Sequence, residues 1–85
     1  VMGVGADWLL TNGELGVLGE FGVLADDTGQ AALREQLQYI EDQADVYIGW
    51  TYWAASPNCP GWANPVDPFC YEETPVQMQI MQEFL

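Results

Sequence analysis

The spacing of apolar positions changes along the chain between helical and extended periods, with Gly, Pro, Asn or Asp near the changes. Val4, Trp8 and Leu9 recur at helical spacing as far as Thr11, and Asn12-Gly13 follows. A Gly just past a periodic segment stops a helix, because Gly takes the left-handed conformation with no Cβ penalty. This segment predicts the end of a helix that begins before the chain does. Leu15 to Gly22 is a short apolar run bounded and interrupted by Gly. It suits a strand covered on both faces, as in a parallel sheet, and its glycines weaken it as a free-standing strand. Ala25-Asp26-Asp27-Thr28 predicts a helix start capped by Thr28 or Asp27, with acidic side chains at the positive end of the helix dipole. Leu33, Leu37, Ile40 and Ala44 then recur at i, i+4, i+7 and i+11, an amphipathic helix. Val46 to Trp53, rich in β-branched and aromatic residues, is the clearest strand. From Ser56 to Glu73 the prolines at Pro57, Pro60, Pro65 and Pro68 exclude a long helix or a central strand. Thr74-Pro75 opens a last short helix with Pro at its first position, and Val76, Ile80 and Phe84 form its stripe.

Strand, helix, strand with short connections is a βαβ unit, built with parallel strands and a right-handed crossover. Two parallel strands alone leave naked edges. The fold class is therefore read as α/β, the C-terminal quarter of a (β/α)8 barrel: its last two strands with flanking helices. Eighty-five residues hold at most one small domain, so residues 1–85 are expected to be a partial barrel domain lacking its earlier strands. One Arg and no Lys stand against thirteen acidic residues, a net charge of −12. That balance excludes nucleic acid as a partner, since nothing neutralises phosphates, and it disfavours anionic membrane surfaces. With no His and two Cys, no metal site and no cofactor is read. No apolar run is long enough to span a membrane, and Val1-Met2-Gly3 opens no secretory-signal pattern.

Active sites of (β/α)8 barrels lie at the C-terminal ends of the strands. Two groups here fall at strand ends, Glu20 in Leu18-Gly19-Glu20-Phe21-Gly22 and Trp53 in Gly49-Trp50-Thr51-Tyr52-Trp53-Ala54. A carboxylate at one strand end beside a Trp at the next outlines a sugar site. The carboxylate attacks or stabilises an oxocarbenium-like carbon, and the indole covers the apolar face of a pyranose. By alternation Trp50 and Tyr52 face away from Trp53, toward flanking helices. In the proline-rich loop, Asn58 can hydrogen-bond a sugar hydroxyl or make a turn. Trp62, Phe69 and Tyr71 can line a subsite or pin the loop. Cys59 and Cys70 form either a disulfide closing a short loop or two reduced thiols; extracellular use favours the disulfide. Asp26, Asp27 and Asp45 lack the spacing of a calcium loop.

The segments Gly16-Val17-Leu18-Gly19-Glu20-Phe21-Gly22 and Asp45-Val46-Tyr47-Ile48-Gly49-Trp50-Thr51-Tyr52-Trp53-Ala54-Ala55 resemble the seventh and eighth strands of glycoside hydrolase family 5 enzymes of the cellulase type. The helix from Leu33 to Gln43 resembles the family in length and position, and the match covers roughly Trp8 to Pro57. The resemblance implies that Glu20 is the catalytic nucleophile and that Trp53 floors the subsite of the attacked sugar. It also implies a cis bond between Trp53 and Ala54. The family's acid/base Glu sits in an Asn-Glu-Pro motif, which this sequence lacks. The expected function is a fragment of a retaining, secreted endo-β-1,4-glucanase acting on β-glucan, inactive without the remainder of its own barrel. Substrate-binding roles are expected for Trp53, Asn58 and Trp62. The alternatives are a related mannanase or other β-glucanase, and a small non-catalytic secreted carbohydrate-binding or structural module.

Overall fold

The structure, a computed structural model, describes residues 2–55, 66–67 and 70–85. Helix α1 spans Met2–Asn12 and stops where Gly13 adopts φ 64°, as its place after the helical segment predicts. The Glu14 amide then donates to the Leu9 carbonyl at 2.9 Å, satisfying one of the orphan acceptors of the last turn. Of the helical positions, Ala6 is buried whereas Val4 and Trp8 are exposed. Val4 and Trp8 thus look outward, whereas Leu9, the third residue of that spacing, is half-buried with its side chain beside Gly16.

Strand β1 (Gly16–Phe21) pairs in parallel with strand β2 (Tyr47–Tyr52), with helix α2 (Asp27–Asp42) between them in sequence. The pairing is irregular twice. Gly16 pairs with Tyr47 but Val17 with Gly49, and Leu18 pairs with Trp50 but Phe21 with Tyr52. Gly19 and Glu20 therefore stand against Thr51 alone, a bulge in β1 that interrupts its two-residue alternation. Without the extra residue, Phe21 would turn away from the helices. With it, Phe21, Trp50 and Tyr52 all pack on the same core.

That core is built from Leu33 and Leu37 of α2, Val66, and Ile80 and Met81 of helix α3 (Val76–Gln82). The helical period of α2 places Leu33, Leu37 and Ile40 inside, as read from the sequence. Ala44 departs from it: the helix ends at Asp42 with Gln43 as C-cap, and Ala44 is exposed in the turn leading to β2. The cap at the other end is Asp26, not Thr28 or Asp27, since its carboxylate accepts the Gly29 amide at 2.7 Å, the i to i+3 reach of an N-cap. Pro75 stands at the N-cap of α3 with ψ 147°, one position earlier than expected. Arg34, the chain's one cation, pairs with Glu83 and ties α2 to α3. Both side chains are half exposed, so the pair contributes about 1 kcal/mol at most.

Helices cover one face of the two-stranded sheet. On the other, Val17 and Thr51 are exposed, with Trp53 at the edge, and Val4, Trp8 and Ile48 are exposed elsewhere. Such a concentration of exposed large apolar side chains is far from a finished surface.

Candidate functional site

Glu20 comes to the C-terminal end of β1 through the bulge, and its side chain is exposed on the open side of the sheet. Gly19 before it is exposed, and a Cβ there would meet no atom within 4 Å. Trp53 immediately follows β2 and is 47% exposed, enough to present an indole face. Three contacts lock the two strand ends together. The Thr51 hydroxyl donates to the Gly19 carbonyl. The Trp53 amide donates to the Phe21 carbonyl at 2.7 Å. The Tyr52 hydroxyl donates to the Val23 carbonyl at 3.2 Å and accepts from the Val23 amide at 3.3 Å. Each anchor from β2 thus falls on an odd-numbered residue of the 19–23 segment, on either side of Glu20.

Trp53 and Ala54 are joined by a cis peptide bond, and the Ala54 carbonyl accepts the Val66 amide at 3.0 Å. The segment after Trp53 is thereby tied back to the core through buried Val66. Trp50 and Tyr52 lie edge-on to Phe21, with ring centroids 5.8 and 5.5 Å away. Packing against the helices, as alternation predicts, they form the floor beneath the site.

Cys70 is disulfide-bonded and Tyr71 is exposed. Cys59, Asn58 and Trp62, with Phe69, lie outside the described residues. Among the described residues no cluster of three His, Cys, Asp or Glu can hold a metal ion. The surface depressions between Val66 and Gln82 and between Ile40 and Trp50 do not include Glu20 or Trp53. The site is an open half-cleft.

Two contributors escaped the sequence reading. Thr51 shares its side of β2 with Trp53 by alternation, a signal that was available. Gln77 is 2% exposed and donates through Nε2 to the Val23 carbonyl at 3.3 Å. Its spacing of four from buried Met81 marks it as part of the inward stripe.

Burial raises the Tyr52 phenol above its ordinary value; the Val23 hydrogen bond pulls it down, and neighbouring Tyr71 adds to the rise. The folded protein therefore holds this proton more tightly than the unfolded chain. The stability this gives is complete below about pH 10 and is lost as pH rises beyond it. Thermal unfolding of the full-length protein is expected to show a midpoint falling above that pH, with a smaller fall in Tyr52→Phe. An equal fall in both would exclude Tyr52 as a source.

No protein-family model matches the chain. Endo-β-1,4-glucanase A of Emericella nidulans is 43% identical over 51 residues, 60% of this chain and 16% of that protein. Endoglucanase 3 of Humicola insolens is 38% identical over 51 residues, 60% of this chain and 13% of that protein. An endo-β-1,4-glucanase structure from Xanthomonas axonopodis pv. citri superposes with TM-score 0.86 at 34% identity, covering 93% of this chain and 25% of that one. XacCel5A in complex with cellopentaose gives TM-score 0.78 at 31% identity, covering 91% of this chain and 25% of that one. The chain thus spans about a sixth of the first curated relative and a quarter of these solved structures. Its mixed helix and strand fold matches part of a family 5 endoglucanase, and the resemblance seen in the two strand segments holds through sequence and structure.

Proposed function

We propose that residues 1–85 are the C-terminal quarter of a (β/α)8 catalytic domain of glycoside hydrolase family 5, and that the full-length protein is a retaining endo-β-1,4-glucanase. The observation that carries this is the pairing of exposed Glu20 with half-exposed Trp53 at the ends of adjacent parallel strands. The uncovered sheet face and the bare side of α1 support the first part. Val4, Trp8, Leu10, Val17 and Ile48 are all exposed, which suits surfaces that the remaining strands and helices of a barrel would bury.

In this reading Glu20 attacks the anomeric carbon from below, forming a glycosyl ester as the leaving oxygen departs. A second carboxyl group, supplied from outside this chain, protonates that oxygen and later activates water. In a retaining site the two carboxyl groups lie ~5–5.5 Å apart. Trp53 holds the sugar undergoing attack against its indole face, and Asn58 and Trp62 extend the contacts along the glucan. The Cys70 disulfide favours a secreted protein, because such bonds persist in oxidising compartments.

Hydrolysis of cellopentaose by the full-length protein, followed by NMR, tests the mechanism. The first product anomer is expected to be β. Initial α product, or no cleavage of β-1,4-glucan, would refute the reading, and faster cleavage of mannan would move the substrate to the related mannanases. Trp53→Ala is expected to lower kcat/KM on cellopentaose by roughly 10- to 100-fold, the value of a lost aromatic platform. Unchanged kinetics in that variant would place Trp53 outside the sugar site.

A further inference from the structure

We propose that Tyr52 and Gln77 are positioning residues for Glu20, holding the segment that carries it by fixing both backbone groups of Val23. The inference rests on the reading of Glu20 as nucleophile. Glu20 lies in a bulge, where ladder pairing is interrupted, and β1 ends one residue later at Phe21. The Thr51 and Trp53 contacts restrain residues 19 and 21 from within the strand pair. Beyond Phe21 no strand pairing remains, and Val23 needs other partners.

A single phenol supplies both. The Tyr52 hydroxyl accepts the Val23 amide at 3.3 Å and donates to the Val23 carbonyl at 3.2 Å. Gln77 Nε2 donates to the same carbonyl at 3.3 Å, so both lone pairs of that oxygen are engaged. The Tyr52 ring also meets Phe21, the residue after Glu20, edge-on at 5.5 Å. Tyr52 therefore grips the segment at its backbone and at its side chain.

Gln77 is the more telling of the pair. It sits in α3 beside Ile80 and Met81, buried with them. A buried amide is costly unless hydrogen-bonded, and Met would fill the space without that cost if packing were its only role. Its hydrogen bond couples the last helix to the nucleophile segment. Nucleophilic attack is sensitive to such placement, since a misplacement of ~1 Å can slow a reaction by ~10²-fold.

The test isolates the attack step in the full-length protein. With 2,4-dinitrophenyl 2-deoxy-2-fluoro-β-cellobioside, a Glu20 carboxylate oxygen bonds to C1 as the C1–O bond breaks. Dinitrophenolate leaves with the electron pair and needs no proton, which takes the acid/base group out of the measurement. Tyr52→Phe and Gln77→Met are each expected to slow bond formation at saturation roughly 10-fold or more while changing the dissociation constant less than ~2-fold. Their combination is expected to slow it by less than the product of the two, because both act on one carbonyl. Ile80→Val, which removes one methyl from the same core, is expected to leave the rate unchanged. Wild-type rates in Tyr52→Phe and Gln77→Met would overturn the proposal, as would an equal slowing by Ile80→Val. Tyr52→Phe keeps the ring against Phe21 and leaves α3 intact, so it supplies the test even if Gln77→Met fails to accumulate. Peptide mapping separates the two readings. A label on Glu20 with unaltered variant kinetics sinks only the positioning role, whereas a label elsewhere sinks the nucleophile and the positioning role together.

Discussion

Glu20→Gln in the full-length protein is expected to lower kcat on cello-oligosaccharides by roughly 10³-fold or more, about 4 kcal/mol of barrier. The amide keeps the size and shape of the carboxylate but cannot form the glycosyl ester. Because Glu20 is exposed at the strand end, the substitution removes little packing, and the unfolding midpoint is expected to stay close to wild type. Binding of cellopentaose, measured by calorimetry, is expected to survive, since Trp53 and the remaining subsites are untouched. The combination separates chemistry from folding and from recognition. Azide provides a positive control in Glu20→Ala: entering the space left by the carboxylate, it is expected to form the α-glycosyl azide. Near-normal turnover in Glu20→Gln would refute the assignment.

Gly29→Ala is expected to destabilise the protein by about 3 kcal/mol, at the upper end of overpacking effects. Gly29 is buried in the first turn of α2, and a Cβ built there lies 2.0 Å from the Leu24 carbonyl oxygen. That neighbour is backbone, so no rotamer change relieves the clash. The same Cβ would lie 3.1 Å from Asp26 Oδ1, the atom that caps the helix through the Gly29 amide. Either the 24–26 segment moves or α2 shifts along its axis, carrying Leu33 and Leu37 out of register with α3. Chemical denaturation of the full-length protein measures the loss, and a midpoint equal to wild type would show that the loop yields freely. By comparison, Ala at exposed Gly19, where a Cβ meets no atom within 4 Å, is expected to change stability far less.

Both predictions rest on features the sequence revealed unevenly. Glu20 was legible because an acidic residue within a Gly-rich apolar run has no place in a strand core, and because the run resembles a family segment. The bulge that presents it was not legible, since two residues opposite one is a property of pairing between strands. Helix α2 was legible in its buried stripe and wrong by a residue or two at its cap, where Asp26, Asp27 and Thr28 all have capping side chains. Only the position of the Gly29 amide selects Asp26 among them. Gly29 itself carries no sequence signal of its constraint, because the clash it avoids is with a backbone carbonyl five residues earlier. Gln77 was hidden for a similar reason: its partner, Val23, lies 54 residues away.

Local periodicity and composition determined the order of elements, the inward stripe of α2, the aromatic strand and the two chemically distinctive residues, because each is encoded within a few turns or a few pleats of chain. The parallel pairing with its two irregularities, the outward face of α1 and the clamp on Val23 were decided only in three dimensions. They depend on which backbone groups meet across long separations, and that is settled by burying Phe21, Trp50 and Tyr52 together against α2 and α3.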